Sequence, residues 1–262
     1  MSPALGLRGN VVIDSNRNDL QEHVDAASPG DVLKLHGNCQ ADSSYDAEPV
    51  LLIDKRITLQ GGWNNDFSAR NVNDRSTIDA SDEGRVIDVD ADGVILDTLT
   101  IRDGNTSANG AGVYNRGANL RIHNSVIISN TTTGDGGGIY NTGELHLVRS
   151  DIDDNRADST NLGNDGAGIY SAEANSKLTV VNSRIRGNEL SVAVSGTDGG
   201  GIYSTSETLI LNSSITGNTA TDGPGIYIDD TDASIINSTV SGNNGFANSG
   251  AIEVRGGTTT VQ

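Results

Sequence analysis

A short phrase that contains Ile-Tyr or Val-Tyr recurs five times between residues 110 and 228. Its copies are GAGVYN at 110–115, GGGIYN at 136–141, GAGIYS at 166–171, GGGIYS at 199–204 and GPGIYI at 223–228. A second phrase follows each copy: NSVIISN at 124–130, RSDIDDN at 149–155, NSRIRGN at 182–188, NSSITGN at 212–218 and NSTVSGN at 237–243. A unit of about 25 residues that repeats in this way cannot bury its own apolar face, so the pattern predicts a solenoid.

Apolar and polar residues alternate in three short runs of each unit, which is the period of a β-strand. The first run turns inward at Val113, Ile139, Ile169, Ile202, Ile226 and Ile252. The second turns inward at Ile122, Leu147, Val180, Ile210 and Ile235, and the third at Ile127, Ile152, Ile185, Ile215 and Val240. Three inward faces around one core predict an all-β parallel β-helix, in which each strand pairs with its equivalent one coil along.

The phrases GGGIYN and NSxIxxN resemble the repeats of right-handed parallel β-helix proteins of the pectate-lyase-like superfamily. In style they are closest to the polymorphic-outer-membrane-type repeats of bacterial surface proteins and adhesins. The resemblance covers residues 100–262 by repeat, and DLQEHVDAASPGDVLKL at 19–35 resembles the helix that caps the first coil in that superfamily. It implies a right-handed solenoid of about nine three-strand coils with an N-terminal α-helical cap.

We therefore predict one domain over residues 1–262, with a capping helix at 17–30, irregular early coils at 31–109 and regular repeats at 110–262. The segment GGTTTVQ at 256–262 stops within a coil without a cap, which predicts that the chain is part of a longer protein. The start, MSPALG, has no charged and apolar leader of the signal-peptide type. The resemblance nevertheless implies an extracellular or cell-surface location.

Charge and composition exclude several classes of function. The net charge is −18, which opposes binding to nucleic acid or to an anionic membrane. No apolar run approaches the roughly 18 residues of a membrane span. The single cysteine, Cys39, excludes a disulfide framework and a cysteine-rich metal site.

The repeated tyrosines form the first candidate site. Because Ile of each phrase points inward, its tyrosine points outward, and the five would line up along one face: Tyr114, Tyr140, Tyr170, Tyr203 and Tyr227. An exposed aromatic strip offers flat apolar faces with a polar tip, which suits a polysaccharide or a cell-surface glycan. The alternative is that stacked identical side chains only stabilise the parallel sheet.

The second candidate site is charged. Asp151 and Asp153 face outward on one coil, and the register places Arg184 and Arg186 beside them on the next coil. The structural interpretation is two cross-strand ion pairs. The resemblance implies a catalytic one, because β-helix polyuronate lyases use acidic residues to hold calcium and Lys or Arg to abstract a proton. Two adjacent loops at 156–166 and 189–198 are longer than their equivalents, and insertions of this kind often carry function in repeat proteins.

Two weaker metal patterns are present. Asp88, Asp90 and Asp92 have the spacing at which a calcium loop begins, but Leu99 stands where such a loop has its bidentate Glu. His123 and His146 face outward on adjacent coils without an evident third ligand.

The sequence leaves three functions open. The favoured one is a non-catalytic extracellular or cell-surface module with a structural or adhesive role. The second is a calcium-assisted polysaccharide enzyme similar to polyuronate lyases, and the third is a carbohydrate binder that uses the tyrosines. The motifs NTD, GHG and RIK of the superfamily's hydrolases are not found in the sequence.

Overall fold

A computed structural model describes residues 10–12, 17–40, 49–158, 163–173, 176–190, 196–245 and 249–262, with side chains from residue 20 onwards. The described residues form a parallel β-helix of about eight turns with three main sheets. The all-β solenoid predicted from the repeats is therefore confirmed, with about one turn fewer than the nine expected.

Three sheets run the length of the solenoid, and we name each by a feature of its strands. The tyrosine sheet consists of Leu51–Ile53, Ile87–Val89, Val113–Asn115, Ile139–Asn141, Ile169–Ser171, Ile202–Ser204, Ile226–Asp229 and Ile252–Arg255. The long sheet consists of Asn10–Val12, Val32–His36, Thr58–Gln60, Val94–Asp97, Asn119–His123, Glu144–Val148, Lys177–Val181, Glu207–Leu211, Ala233–Ile236 and Thr259–Val261. The arginine sheet consists of Asn38–Gln40, Ser76–Asp79, Leu99–Arg102, Val126–Ile128, Asp151–Asp153, Arg184–Arg186, Ser214–Thr216 and Thr239–Ser241.

Within one coil the chain passes through the tyrosine sheet, the long sheet and the arginine sheet in that order. Every pairing between these strands is parallel, and equivalent residues of successive phrases are partners, as when Tyr114 pairs with Tyr140 and Ile127 with Ile152. The fixed register follows from the repeat, since a slip of one residue would turn every inward side chain outward.

The core is a continuous column of aliphatic side chains. All the predicted inward residues from Val113 to Ile235 are at most 1% exposed, and only Val240 and Ile252 in the last turn are partly exposed. The three inward faces were therefore predicted correctly. Burial of this column is the main driving force for stacking the coils.

A buried asparagine ladder joins the coils where the arginine sheet ends. Its rungs are Asn130, Asn155, Asn188, Asn218 and Asn243. In each rung except the last, the side-chain amide donates to the side-chain oxygen of the next rung at 2.9–3.0 Å and to a strand carbonyl of the preceding coil. The side-chain oxygen also accepts the main-chain N–H of the previous rung. The ladder thus pairs polar groups that burial would otherwise leave unsatisfied.

The corner between the long sheet and the arginine sheet uses the left-handed backbone conformation in successive coils. Asn124, Asn182, Asn212 and Asn237 have φ between 48° and 51° there, and Arg149 has φ 49° in the same column. Asparagine tolerates this conformation better than most side chains, because its amide can bond to the local backbone. Arg149 is thus the less suited residue of this corner.

The N-terminal helix runs from Arg17 to Ala26 and lies against the first coils. Leu20 and Val24 are buried against the core, and the Gln21 amide group bonds to both the N–H and the carbonyl of Leu52. The predicted cap is therefore present, but its helix ends before residue 30. Pro29 and Gly30 form a turn beyond its end, in which Gly30 has φ 97°, a conformation outside the right-handed helix.

A fourth, short sheet was not predicted. It consists of Asn105–Thr106, Thr131–Thr132, Arg156–Ala157 and Glu189–Leu190, directly after the asparagine corner. Ala157 and Leu190 turn inward from it and pack with Ala167 and Ala220 in a second small apolar cluster. The predicted long loops at 156–166 and 189–198 therefore begin as strands, while residues 159–162 and 191–195 lie outside the described residues.

Candidate functional site

The arginine sheet brings the predicted charged residues together. Asp151 pairs with Arg184 and Asp153 with Arg186 as direct strand partners, in the register that the repeat predicts. Arg184 contacts both carboxylate oxygens of Asp151, with Nε–Oδ1 and Nη2–Oδ2 distances of 3.0 and 2.6 Å. A bidentate pair of this geometry is stronger than a single charged hydrogen bond, and it holds both side chains in place.

The second pair is less complete. Arg186 Nη2 donates to Asp153 Oδ2 at 3.1 Å, while Asp153 Oδ1 is buried and has no hydrogen-bond partner among the described residues. Asp153 is only 3% exposed although it faces outward. Burial raises the pKa of this carboxyl group, and the nearby Arg186 opposes that effect only in part.

Both arginines are held as cations. The hydrogen bond and charge of Asp151 raise the pKa of Arg184, and those of Asp153 raise the pKa of Arg186. A side chain must be neutral to abstract a proton, so these pairings work against the base function that the resemblance implied for either arginine. The geometry suits attraction of an anionic group better than proton abstraction.

A shallow depression of about 510 Å³ lies beside Arg186. Its wall contains Thr216 and Ser241, and its floor contains Gly187, Gly217 and Gly242, which stack with φ between 62° and 67°. The missing side chains leave main chain exposed next to a guanidinium. The surface is open and lacks the deep groove that typically encloses a small ligand.

The tyrosines form a stacked column on the tyrosine sheet. Ring centroids of Tyr140, Tyr170, Tyr203 and Tyr227 are 4.9–5.4 Å apart, and successive ring planes differ by only 3–11°. Tyr114 instead meets Tyr140 edge-on, with an interplanar angle of 86°. The rings therefore cover one another's faces, and a ligand approaching from outside would meet mainly ring edges.

Arginines close both ends of this column. The guanidinium groups of Arg116 and Arg85 lie 4.3 and 4.9 Å from the ring centroid of Tyr114, and that of Arg255 lies 5.4 Å from Tyr227. Tyr203 is 8% exposed and Tyr227 only 1%, so the expected exposed strip is covered at this end. Sugar binding by stacking needs an open ring face, and this geometry provides few of them.

An aspartate ladder lies beside the tyrosines and was missed in the sequence. Asp135, Asp165 and Asp198 each donate their main-chain N–H to the side-chain oxygen of the previous rung, and Asn109 is the first rung, at distances of 2.8–3.0 Å. The ladder ends at Asp198, whose Oδ1 has no partner among the described residues, because the next N–H, that of Asp222, donates to Thr197. The signal was available, since Asn or Asp precedes the first glycine of each tyrosine phrase.

Burial, with a smaller contribution from neighbouring carboxylates, makes Asp165 and Asp198 unusually weak acids. Burial raises the pKa of Asp165 to about 8, assisted by the charges of Asp198 and Asp135. Burial and the charge of Asp222 raise the pKa of Asp198 to about 6, although Arg255 opposes the change. Asp165 is therefore largely protonated at neutral pH.

The weaker metal patterns are not assembled into a site. Asp88 lies on a strand of the tyrosine sheet, and its oxygens accept hydrogen bonds from Arg85 and Arg116 at 2.5–2.8 Å. Asp92 accepts the main-chain N–H of Asn119, and Asp90 is exposed in the turn between them. Among the described residues, no three His, Cys, Asp or Glu side chains come together as a group that could hold a metal.

The two histidines have separate environments. His146 Nε2 lies 2.9 Å from Glu144 Oε1, and burial lowers the pKa of His123. His146 is the strand partner of Arg121, as the register predicts. These neighbours account for the two side chains without a shared ligand.

Comparison with known proteins adds a similar architecture. No family model matches the chain, and no curated protein matches it. A crystal structure of the pectate lyase Pel9A is similar in fold, with 13% sequence identity, a TM-score of 0.49, and coverage of 96% of this chain and 78% of that chain. The parallel β-helix that the sequence predicts is confirmed by the strand pairing of this chain itself. In the described part of the chain, no helix has the length and apolar character needed to cross a bilayer.

Proposed function

We propose that this chain is a non-catalytic β-helix module of an extracellular or cell-surface protein, with a structural or adhesive role. The observation that carries the proposal is that the charged and aromatic side chains singled out as sites bind one another. Asp151 and Arg184 form a closed bidentate pair, and the tyrosine rings stack on each other with arginines at both ends. Side chains engaged in this way stabilise the stack of coils and present a regular surface.

The chemistry of the arginines supports the same proposal. Their carboxylate partners hold them as cations, which suits a structural ion pair and opposes a role as catalytic base. At the corners, the side chains of the asparagine and aspartate ladders likewise bond to the neighbouring coil. A rigid rod of this kind can carry an adhesive surface away from an anchoring point.

The test is a search for β-elimination on a panel of polyuronates, with and without calcium, followed by the ultraviolet absorbance of the unsaturated product. We expect no rise on any substrate. The matched variants are Arg186→Ala, at the depression, and Arg121→Ala, an arginine on the long sheet. A calcium-dependent rise that Arg186→Ala abolishes and Arg121→Ala leaves intact would refute the non-catalytic proposal.

One observation favours a calcium-assisted polyuronate lyase as the second candidate. Asp153 is buried and bonds to Arg186, which lines the depression. Its pKa is raised, and one of its carboxylate oxygens has no partner among the described residues. A carboxyl group with a raised pKa is suited to proton transfer, and its free oxygen is suited to a cation. In this alternative, Arg186 would attract the substrate's carboxylate, and Asp153→Asn would abolish the activity without unfolding the chain.

A further inference from the structure

The sequence contains two Asn-Gly dipeptides, Asn109-Gly110 and Asn244-Gly245, and the structure places them in opposite environments. An asparagine followed by glycine is the dipeptide most prone to spontaneous deamidation, because the absence of a side chain lets the next main-chain nitrogen approach the amide carbon. The fold must hold that nitrogen, or the amide itself, to prevent the reaction. The two sites therefore test how far the structure protects each amide.

Hydrogen bonds hold the side chain and the main chain of Asn109-Gly110. Asn109 Oδ1 accepts the main-chain N–H of Asp135 at 3.0 Å, and the Asn109 carbonyl accepts a hydrogen bond from Arg85 at 2.7 Å. The attacking nitrogen, that of Gly110, donates to the carbonyl of Asp135 at 2.9 Å, and Gly110 is buried with φ 72°. Both reacting groups are thus fixed as parts of the aspartate ladder.

Asn244-Gly245 lacks the hydrogen bonds that hold the two reacting groups at Asn109-Gly110. Asn244 is exposed, and its side chain makes no hydrogen bond to any residue that the structure describes. Its main-chain groups are paired: the N–H donates to the carbonyl of Asn218 at 2.8 Å, and the carbonyl accepts the N–H of Ala220 at 3.3 Å. The nitrogen of Gly245 likewise has no partner within the described ranges, so no hydrogen bond there opposes its approach to the Asn244 amide carbon.

We propose that Asn244 is a modification site at which the folded protein deamidates spontaneously. The Gly245 nitrogen attacks Cγ of Asn244, the new C–N bond forms, and the amide nitrogen leaves as ammonia with the proton released by Gly245. Water then opens the resulting succinimide at either carbonyl, which yields aspartate or isoaspartate at position 244. The reaction needs only water and no oxidant or cofactor.

The position gives the modification a structural consequence. Asn243, the last rung of the asparagine ladder, directly precedes Asn244, and the strand Ile252–Arg255 that closes the last turn follows it. Isoaspartate inserts an additional carbon into the main chain between the ladder and this strand. The pairing of Ile252 with Ile226 would then be strained, while the earlier coils keep their register.

The experiment is peptide mapping by mass spectrometry of the intact folded chain during incubation at mildly alkaline pH. We expect Asn244 to convert at least about tenfold faster than Asn109, because local opening must precede the reaction only at Asn109. In urea the two sites should convert at similar rates, which shows that the fold causes the difference. Similar rates in the folded protein, or faster conversion of Asn109, would overturn the proposal.

Two variants complete the test. Gly245→Ala should suppress conversion at Asn244, because the added side chain slows attack by the main-chain nitrogen. Conversion at an unchanged rate would contradict the mechanism. Asn244→Asp adds the charge without lengthening the main chain. Hydrogen exchange of Ile252–Arg255 should be faster in the aged protein than in Asn244→Asp, and equal exchange would refute the structural consequence.

Discussion

Removal of one rung of the asparagine ladder should destabilise the whole solenoid. The rung to change is Asn188, which lies in the middle of the ladder and is completely buried. Its Oδ1 accepts from the N–H and from the side-chain amide of Asn155, each at 3.0 Å. Its own amide donates to the carbonyl of Ile152 and to Oδ1 of Asn218, each at 2.9 Å.

Asn188→Ala deletes all four hydrogen bonds. The two Asn155 donors lose the acceptor that the structure gives them, and a buried unsatisfied donor costs about 1–3 kcal/mol. The carbonyl of Ile152 and Oδ1 of Asn218 also lose a donor, but Asn218 Oδ1 keeps the N–H of residue 188. The expected loss is therefore about 3–6 kcal/mol, a large share of the roughly 5–15 kcal/mol that stabilises an ordinary domain.

The assay is urea unfolding followed by circular dichroism, with the free energy of unfolding taken from the midpoint and slope. The matched control is Asn73→Ala, at an exposed turn asparagine, which should change stability by less than about 0.5 kcal/mol. A loss below about 1 kcal/mol for Asn188→Ala would refute the reasoning. It would mean that water or a shifted neighbour satisfies the Asn155 donors.

Three further outcomes follow from the structure. The pKa of Asp165 is raised to about 8 and that of Asp198 to about 6, so the folded chain binds more protons than the unfolded chain between about pH 4 and pH 8. The free energy of unfolding should therefore fall by roughly 2–5 kcal/mol as pH rises through this range. Melting temperatures measured across this range should show the fall, and Asp165→Asn should flatten it; an unchanged slope would contradict the pKa assignment. Tyr170→Ala should lose about 2–3 kcal/mol in urea unfolding, because two stacked ring contacts and buried area are removed. The variant should leave retention on glycan columns unchanged, and a loss of retention would support the sugar-binding hypothesis instead. Arg149→Asn should raise the free energy of unfolding by about 0.5–1 kcal/mol in the same assay, because asparagine adopts the left-handed backbone at φ 49° with less strain. A decrease would show that the hydrogen bond from Arg149 to Asn124 contributes more than this strain.

The parts of the fold that repeat could be predicted from the sequence. The positions of Ile139 and Ile152 hold an aliphatic residue in every copy of their phrases, so period-two alternation assigned them correctly to the inward faces. The second phrase likewise assigned the partners Asp151 and Arg184, because both occupy its third position. Both inferences depend only on main-chain geometry, which the repeat constrains strongly.

The parts that depend on side-chain neighbours could not be predicted in the same way. An outward position does not specify exposure, and Tyr227 is covered because Tyr203 and Arg255 lie against its two faces. Aspartate is a residue type typical of turns, but in the structure Asp165 is a rung of the aspartate ladder. The short sheet was missed because its two-residue strands carry no measurable period.

The stacked tyrosines also give the protein an internal optical reporter. Rings held in parallel at 4.9–5.4 Å couple their electronic transitions, so their near-ultraviolet circular dichroism depends on the register of the coils that carry Tyr140 to Tyr227. The single tryptophan, Trp63, lies in an early coil with Lys34 over its ring at 4.0 Å, and its fluorescence reports that region alone. Because each coil contacts mainly its neighbours, the two signals can time the unfolding of early and late coils separately without any added label.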